Sequence, residues 1–203
     1  MGGLLAIMSS PSGGGKTTII QKILSQYPEK FTYSISATTR KMRPGEKDGI
    51  DYFFLSEQEF QEGIENSRFL EWEEVHGYHY GTPLAPIEKL AASGKHIFLD
   101  IDVNGALQVK KKYPGQAVTI FIAPPSTEEL VRRLKNRKSE SEEEIHRRLA
   151  RLPMEMEKSA LFDFRIINED ADQSAHEVLT ILGQYDPSLV APELGNPVSS
   201  ARN

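Results

Sequence analysis

Residues 8–18, with the sequence MSSPSGGGKTT, come within one position of a phosphate-binding loop. The pattern G-x-x-x-x-G-K-[ST] is met at Gly15, Lys16 and Thr17, whereas Ser10 stands in place of its first glycine. Such a loop points successive backbone N–H groups at phosphate oxygens, at the N-terminus of a helix. Its lysine bridges the β- and γ-phosphates of a nucleotide, and its threonine hydroxyl helps to hold Mg²⁺. We predict these roles for Lys16 and Thr17.

A serine at the first position of the loop is compatible with this function. Ser10 lies at the end of the preceding strand, away from the phosphate, and costs on the order of 1 kcal/mol only if its φ is positive. The alternative is a plain glycine-rich turn. The apolar run 4–9 and the helical stripe within 15–28 provide the strand–loop–helix context that favours the nucleotide loop. The predicted nucleotide contacts are Ser12, Gly13, Gly14, Gly15, Lys16, Thr17 and Thr18.

A second cluster of basic residues indicates a second anion site. The segment 36–52, SATTRKMRPGEKDGIDY, places Arg40 and Arg43 in a loop with a Pro-Gly turn, and Tyr52 adds a hydroxyl donor. Two guanidinium groups fork around a phosphate monoester. The alternative is a solvated basic loop, which is less favoured beside a phosphate loop. A GTPase is excluded because no Asn-Lys pair of an N-K-x-D guanine reader occurs, so we attribute the D-x-x-G pattern in 102–105 to coincidence.

Several motifs follow one another along the chain in a characteristic order: SGGGKT, SATTRKMRPGEKDGIDY, FLEW, HYGTP, FLDIDVNGA, FIAPPS and RLKNRKSESEEEIHRRL. Their order resembles the guanylate kinase family. The resemblance spans roughly residues 4–185 and implies transfer of the ATP γ-phosphoryl group to GMP, with Mg²⁺ as cofactor.

The resemblance assigns the acceptor site residue by residue. Guanine offers N1–H and its 2-amino group as donors and O6 as an acceptor, so a carboxylate and a hydroxyl together distinguish it from adenine. Glu71 is implied as the carboxylate and Thr82 as the hydroxyl. The further contacts to the base are Ser36 and Asp102, and those to the GMP phosphate are Arg40, Arg43, Tyr52 and Tyr80.

The same resemblance implies a helical lid over residues 126–151. Phosphoryl transfer needs alignment and charge cancellation, so a lid should bring arginines to the transferring group and expel water. Arg133, Arg137 and Arg148 are implied there, and the catalytic set becomes Lys16, Arg40, Arg137 and Arg148. The alternative for these arginines is simple surface ion pairing at i,i+4 spacing. Asp100 is expected to orient a Mg²⁺-bound water, and Asn168 to lie near the adenine of ATP.

The pattern of elements predicts an α/β fold of the P-loop NTPase type, with a parallel sheet flanked by helices. Apolar runs at 4–9, 95–102, 117–125 and 164–170 are typical of buried strands, and helical patterns separate them. The expected guanylate kinase-like domain covers 1–185. Its core comprises 1–37, 84–125 and 152–185, its GMP-binding insert 38–83 and its lid 126–151, before a flexible tail over 186–203.

The composition limits the partners. A net charge of -5 disfavours nucleic acid, whose binding depends on neutralising phosphates. No apolar run approaches the roughly 20 residues that span a bilayer, and no targeting signal is recognised, which predicts a cytoplasmic protein without a membrane partner. The absence of cysteine excludes disulfides and thiolate metal sites. We expect ATP and GMP as partners of a monomer or homodimer.

Two other functions are compatible with the sequence. One is a non-catalytic module with the guanylate kinase fold that binds protein partners; the other is a kinase for a different phosphorylated sugar or nucleotide. The chain departs from the family pattern at Ser10, at Ala37, where serine is common, and at Lys138-Ser139, where Gly-Thr is usual. The two histidines His76 and His79 are expected to be surface or packing residues, not metal ligands.

Overall fold

The computed structural model describes residues 3–136 and 142–189. Seven α-helices and nine strands lie in these ranges, with 3₁₀ turns at Ser159–Leu161 and Pro187–Leu189. In chain order they are β1 (Leu5–Ser9), α1 (Lys16–Gln26), β2 (Phe31–Tyr33), β3 (Ala37–Thr38), β4 (Phe53–Phe54), α2 (Glu57–Glu65), β5 (Phe69–Val75), β6 (Tyr78–Pro83), α3 (Leu84–Ala92), β7 (His96–Asp100), α4 (Val103–Lys112), β8 (Ala117–Ala123), α5 (Thr127–Asn136), α6 (Glu142–Lys158), β9 (Phe164–Ile167) and α7 (Ala171–Gly183).

The central sheet is parallel and has the strand order β2-β7-β1-β8-β9. Its middle strand, β1, is buried along its whole length, because helices cover both faces. Ala6 and Met8 point into the core under α1 and α7, while Leu5 and Ile7 point into the core under α3 and α4. The carboxyl ends of β1 and β7 therefore meet at one edge of the sheet, where ligands bind in folds of this class.

A second sheet of four short strands stands apart from the first, in the order β4-β3-β6-β5. Its main unit is the antiparallel hairpin of β5 and β6, which turns at His76 and Gly77, both with positive φ. Helix α2 packs Phe60 against Phe69 of this hairpin, with ring centroids 4.4 Å apart. Its N-terminus is fixed by a capping box between Ser56 and Glu59.

Helices α5 and α6 form a small unit with its own apolar cluster. Leu130 and Leu134 of α5 pack against Ile145 of α6, and all three are buried. Helix α6 then continues past the expected lid boundary at residue 151 to Lys158. Met154 and Met156 in this second half pack against the core under α4, so one helix joins the small unit to the central domain.

The predicted fold class is confirmed: the central sheet is parallel, and helices flank it. Three details differ from the prediction. Strand β2 and helix α2 were not predicted, the second sheet begins at Ala37, and the expected flexible tail starts with a packed segment in which Leu189 joins the core. Residues 190–203 lie outside the described ranges. No helix in the described part of the chain is long and apolar enough to cross a membrane.

Candidate active site

The glycine loop connects β1 to α1 and curls around the N-terminus of that helix. Gly13 and Gly15 have φ values of 90° and 92°, a conformation that glycine adopts without strain. Gly15 is also the N-cap residue of α1. The described non-glycine residues with positive φ are Ser67 and His76, so Ser10 carries no such strain. The serine at the first loop position is therefore accommodated by the backbone.

Lys16 and Thr17 face the end of β7. The Lys16 ammonium lies 2.5 Å from Asp100 Oδ1, and the Thr17 hydroxyl donates to Asp100 Oδ2 at 3.3 Å. These three side chains place one cation, one hydroxyl and one carboxylate at the mouth of the loop. The predicted grouping of Lys16, Thr17 and Asp100 is thus brought together by the topology of adjacent parallel strands.

Two residues expected to contact ATP, Asn168 and Arg133, form hydrogen bonds to the backbone of the glycine loop. The Asn168 amide donates to the Gly14 carbonyl at 2.7 Å and accepts from the Ser174 hydroxyl at 3.1 Å, and Asn168 is buried. Arg133 donates to the carbonyl oxygens of Asn168 at 3.0 Å and Gly14 at 3.5 Å. Both polar atoms of the Asn168 amide are thus engaged within the protein, and its position near the adenine of ATP stays a prediction.

Basic and phenolic side chains form a clamp around Arg40. Glu46 holds the guanidinium with two hydrogen bonds, 3.0 Å from Nη1 and 2.8 Å from Nη2, and also accepts from the Arg43 backbone N–H at 2.7 Å. The Arg40 guanidinium lies 5.4 Å from the centre of the Tyr52 ring, and Tyr52 meets Tyr80 edge-on. All four predicted phosphate ligands, Arg40, Arg43, Tyr52 and Tyr80, line one cavity.

The electrostatics of this clamp favour a bound anion. Burial alone would lower the pKa of Arg40, but the hydrogen bonds and charges of Glu46 and Tyr80 together outweigh burial and raise it. Burial raises the pKa of Tyr52 well above its ordinary value, and the nearby Asp100 adds to the shift. A permanent cation and a neutral phenol donor therefore face the cavity at physiological pH.

The opposite wall carries the predicted base-reading residues. Glu71 of β5 accepts from the Thr82 hydroxyl of β6 at 2.6 Å. Asp102 caps α4 by accepting from the Gly105 N–H at 2.8 Å. A Cβ on Gly105 would lie 2.3 Å from Glu71 Oε2 and 3.4 Å from Asp102 Oδ1, so the absence of a side chain at Gly105 lets the two carboxyl groups approach. Ser36 lines the same cavity.

This wall contains a carboxyl group with an unusual titration. Burial raises the pKa of Glu71 to about 7, and the negative charge of Asp102 contributes in the same direction. The hydrogen bond from Thr82 opposes the shift by stabilising the carboxylate. Because the single O–H of Thr82 already donates to Glu71, a contact between Thr82 and guanine O6 requires that bond to be exchanged and stays a prediction.

The small helical unit reaches the cavity through α6. Arg148 donates to the Ser12 hydroxyl in the glycine loop and lines the cavity with Glu155. Arg151 donates to Asp102 at 3.1 Å and lies 3.6 Å from Glu155. The prediction for Arg137 falls outside the described residues.

Both anion sites open into one cavity of about 270 Å³. The loop residues Gly13 to Thr18 form one side, and the Arg40 clamp with Glu71 and Asp102 forms the other. A molecule bound by the loop and a second one held by the clamp would therefore share a single space.

Comparison with known proteins gives a consistent result. The family model described as guanylate kinase matches residues 3–185. A guanylate kinase of Synechocystis sp. is 45% identical over 184 residues, which cover 91% of this chain and 95% of the relative. One from Streptococcus thermophilus is 47% identical over 180 residues, covering 89% and 86%. A crystal structure of guanylate kinase from Anaplasma phagocytophilum superimposes with a TM-score of 0.73 at 32% identity, over 90% of this chain and 85% of that one.

The chain belongs to the guanylate kinase family. Sequence reasoning within this family missed four residues of the site: Glu46, Gly105, Arg151 and Glu155. Glu46 had a visible signal, since it follows Arg40 across the Pro-Gly turn in the same basic segment. Gly105 is the glycine of the D-x-x-G pattern, and because it has no side chain, Glu71 can approach it closely. Arg151 and Glu155 have the spacing of an ordinary surface pair and gave no signal.

The two histidines of the β5–β6 hairpin differ in their surroundings. His79 stacks on Phe60 and pairs with Glu57 at 2.9 Å. His76 lines the cavity at the hairpin turn, and burial and the nearby arginines of α6 lower its pKa. Within the described residues, no group of three or more His, Cys, Asp or Glu side chains could hold a metal ion.

Proposed function

We propose that this member of the guanylate kinase family transfers the γ-phosphoryl group of ATP to GMP and releases ADP and GDP. The observation that carries the proposal is the shared cavity, in which the glycine loop and the Arg40 clamp face each other. A loop of main-chain N–H groups suits the phosphates of a nucleoside triphosphate. A clamp of paired guanidinium and phenol groups suits the phosphate of a monophosphate acceptor.

The cavity wall formed by Glu71, Thr82 and Asp102, here called the base wall, favours guanine as the acceptor base. Ionised Glu71 accepts from N1–H and from the 2-amino group, and the neighbouring Asp102 provides a further acceptor. Adenine has an acceptor at N1, which would face the carboxylate and leave the Glu71 oxygen that is not bonded to Thr82 buried without a partner. The desolvation cost of that unpaired group, about 1–3 kcal/mol or more for a charged group, separates GMP from AMP.

The transfer step requires alignment and charge compensation from the protein. Lys16 and Arg148 carry positive charge at the loop side of the cavity, and Arg40 carries it at the acceptor side. The GMP phosphate oxygen attacks the γ-phosphorus in line while the ADP oxygen leaves. We propose Lys16, Arg40, Arg137 and Arg148 as the catalytic residues. The α5–α6 unit would act as the lid that excludes water.

The residues at the mouth of the loop fit a magnesium ion. The Thr17 hydroxyl and the Asp100 carboxylate are hard oxygen ligands, 3.3 Å apart, on the donor side of the cavity. Mg²⁺ is commonly held by one or two protein oxygens together with substrate phosphates. When bound, it would neutralise and orient the β- and γ-phosphates, with Thr17 as a direct ligand and Asp100 acting through a water.

A coupled assay of ADP release tests this function. The protein would be incubated with ATP, Mg²⁺ and a panel of acceptors comprising GMP, dGMP, AMP, UMP and a sugar phosphate. We expect turnover with GMP well above that with AMP or UMP. Binding of GMP without turnover would indicate a non-catalytic module, and turnover with another acceptor alone would indicate a different kinase. The cytoplasmic location and the monomeric or homodimeric state stay predictions.

A further inference from the structure

Arg151 lies behind the base wall of the cavity and connects it to helix α6. Its Nη2 donates to Asp102 Oδ2 at 3.1 Å, and its Nε lies 3.6 Å from Glu155. We propose that Arg151 is a positioning residue for acceptor recognition: it holds Asp102 so that this carboxylate receives the 2-amino group of guanine. The proposal rests on the proposed function and assigns a role to a residue whose sequence context indicates a surface ion pair.

Asp102 has one oxygen fixed by its own helix and the other fixed by Arg151. Oδ1 accepts from the Gly105 N–H at 2.8 Å, which sets the position of the carboxylate at the start of α4. The bond from Arg151 to Oδ2 then sets its rotation. A carboxylate oxygen has two lone pairs, so each oxygen keeps acceptor capacity for a ligand. The side chain is 16% exposed, on a residue that lines the cavity, so it is accessible to a bound base.

The charges around Asp102 show why a cation is needed there. Burial is the main cause of the raised pKa of both Glu71 and Glu155, and the charge of Asp102 adds to each shift, so three carboxyl groups lie in one partly buried region. Arg151 opposes the rise in the pKa of Glu155, as Lys16 does, and pairs directly with Asp102. Without this guanidinium, the three acids would repel one another, and uptake of a proton would remove an acceptor that guanine requires.

Guanine has more N–H donors than Glu71 can accept, and Asp102 can accept the remaining one. The Watson–Crick edge has three N–H bonds, one at N1 and two on the 2-amino group. Glu71 faces that edge with one oxygen already bonded to Thr82, so it can receive N1–H and one amino hydrogen. The second amino hydrogen needs another acceptor, and Asp102 lies beside Gly105, as Glu71 does.

Helix α6 connects the contact between Arg151 and Asp102 to the glycine loop on the other side of the cavity. Arg148, one turn before Arg151, donates to Ser12 of the glycine loop. Lys158, two turns after Arg151, donates to Asn104 at the start of α4. The same helix therefore contacts the loop that holds one nucleotide and the helix end that reads the other.

The experiment compares GMP with IMP, which lacks the 2-amino group. Dissociation constants would be measured by calorimetry on the full chain for the wild type, Arg151→Met and Arg151→Lys. We expect Arg151→Met to weaken GMP binding about tenfold and IMP binding less than about twofold, the size of a coupled contact. kcat at saturating GMP should change little, and the KM for ATP should stay the same.

Arg147→Met is the matched control, because Arg147 is an exposed arginine on the same helix. It removes the same charge and should leave both dissociation constants unchanged. In an Asp102→Asn background, Arg151→Met should have little further effect on GMP binding. Arg151→Lys keeps the charge with a less suitable geometry and should fall between wild type and Arg151→Met.

Equal losses for GMP and IMP, or no loss for either, would overturn the proposal while leaving the kinase assignment intact. If Arg151→Met does not fold, as judged by its thermal unfolding, the same comparison is made with Arg151→Lys alone. A wild-type protein that neither binds nor phosphorylates GMP would refute the proposed function itself, so the two failures are distinguishable.

Discussion

The Ser10 side chain occupies the space that a side chain on Gly14 would enter. A Cβ on Gly14 would lie 2.8 Å from the Cβ of Ser10 and 3.0 Å from the Pro11 carbonyl oxygen. Atoms of that kind do not approach so closely, and the Ser10 Cβ cannot rotate away. The serine at the start of the loop and the additional glycine at position 14 are therefore coupled: the first occupies the space that the second leaves empty.

This coupling predicts the outcome of changing either residue. Gly14→Ala should destabilise the protein by about 1–3 kcal/mol, as overpacking does, and raise the KM for ATP because the loop must shift. Ser10→Gly alone should be nearly neutral. The double variant should recover part of both losses, since the contact with Pro11 persists. Thermal unfolding and ATP kinetics measure these effects, and a double variant no better than Gly14→Ala would contradict the coupling.

Lys16 is expected to act on the transferring phosphoryl group. Lys16→Met should lower kcat by about a hundredfold or more, since removing one charge-stabilising group commonly costs that much. Binding of GMP should remain, because the Arg40 clamp is separate. Lys22→Met is the control on the same helix, where the lysine pairs with exposed Asp172 at 2.6 Å. Full turnover by Lys16→Met in a steady-state assay would refute the role of Lys16.

Glu71 is expected to set the preference for guanine. Glu71→Gln replaces one acceptor oxygen with a donor amide, so it should weaken GMP recognition and tolerate adenine better. The ratio of kcat/KM for GMP to that for AMP should fall about tenfold or more. Glu74→Gln, a change at an exposed position of the same strand, is the control. An unchanged ratio in Glu71→Gln would remove this residue from the base-reading set.

The raised pKa of Glu71 also predicts a pH effect on stability. The folded protein holds the Glu71 proton up to about pH 7, whereas the unfolded chain releases it near the ordinary value of 4.5. Between these values the folded state binds more protons, so its stability falls as pH rises. The contribution is at most about 3 kcal/mol. Urea unfolding of wild type and Glu71→Gln at pH 5 and pH 8 measures it.

We expect Glu71→Gln to gain stability relative to the wild type between pH 5 and pH 8, because glutamine does not ionise. A stability difference between the two proteins that is the same at both pH values would mean that Glu71 titrates normally in the folded state.

The sequence predicted the central sheet well because its strands are buried on both faces. Such strands are continuous apolar runs, as in β1 and β8, and these are distinct from the helical patterns around them. Strand β2, with three residues, is too short for any periodicity to be recognised. Helix α2 carries the Ser56–Glu59 capping box, a signal that was present but was obscured by the aromatic residues around it.

The site was less accessible to sequence reasoning, because its geometry depends on contacts between distant segments. Asn168 is an isolated polar residue after a strand, and only the fold reveals that it holds the Gly14 carbonyl, 154 positions away in the sequence. Likewise, the spacing of Arg151 and Glu155 is that of an ordinary helical ion pair. The contact of Arg151 with Asp102 follows from the packing of α6, which no local pattern specifies.

The most direct test of the account is the crystal structure of a ternary complex with GMP and a non-hydrolysable ATP analogue. The measured quantity is the distance from the nearest GMP phosphate oxygen to the γ-phosphorus. We predict about 3–3.5 Å in a near-attack arrangement, with the acceptor phosphate at Arg40 and guanine at Glu71. A GMP phosphate that points away from the analogue, or an empty Arg40 clamp beside a filled glycine loop, would contradict it.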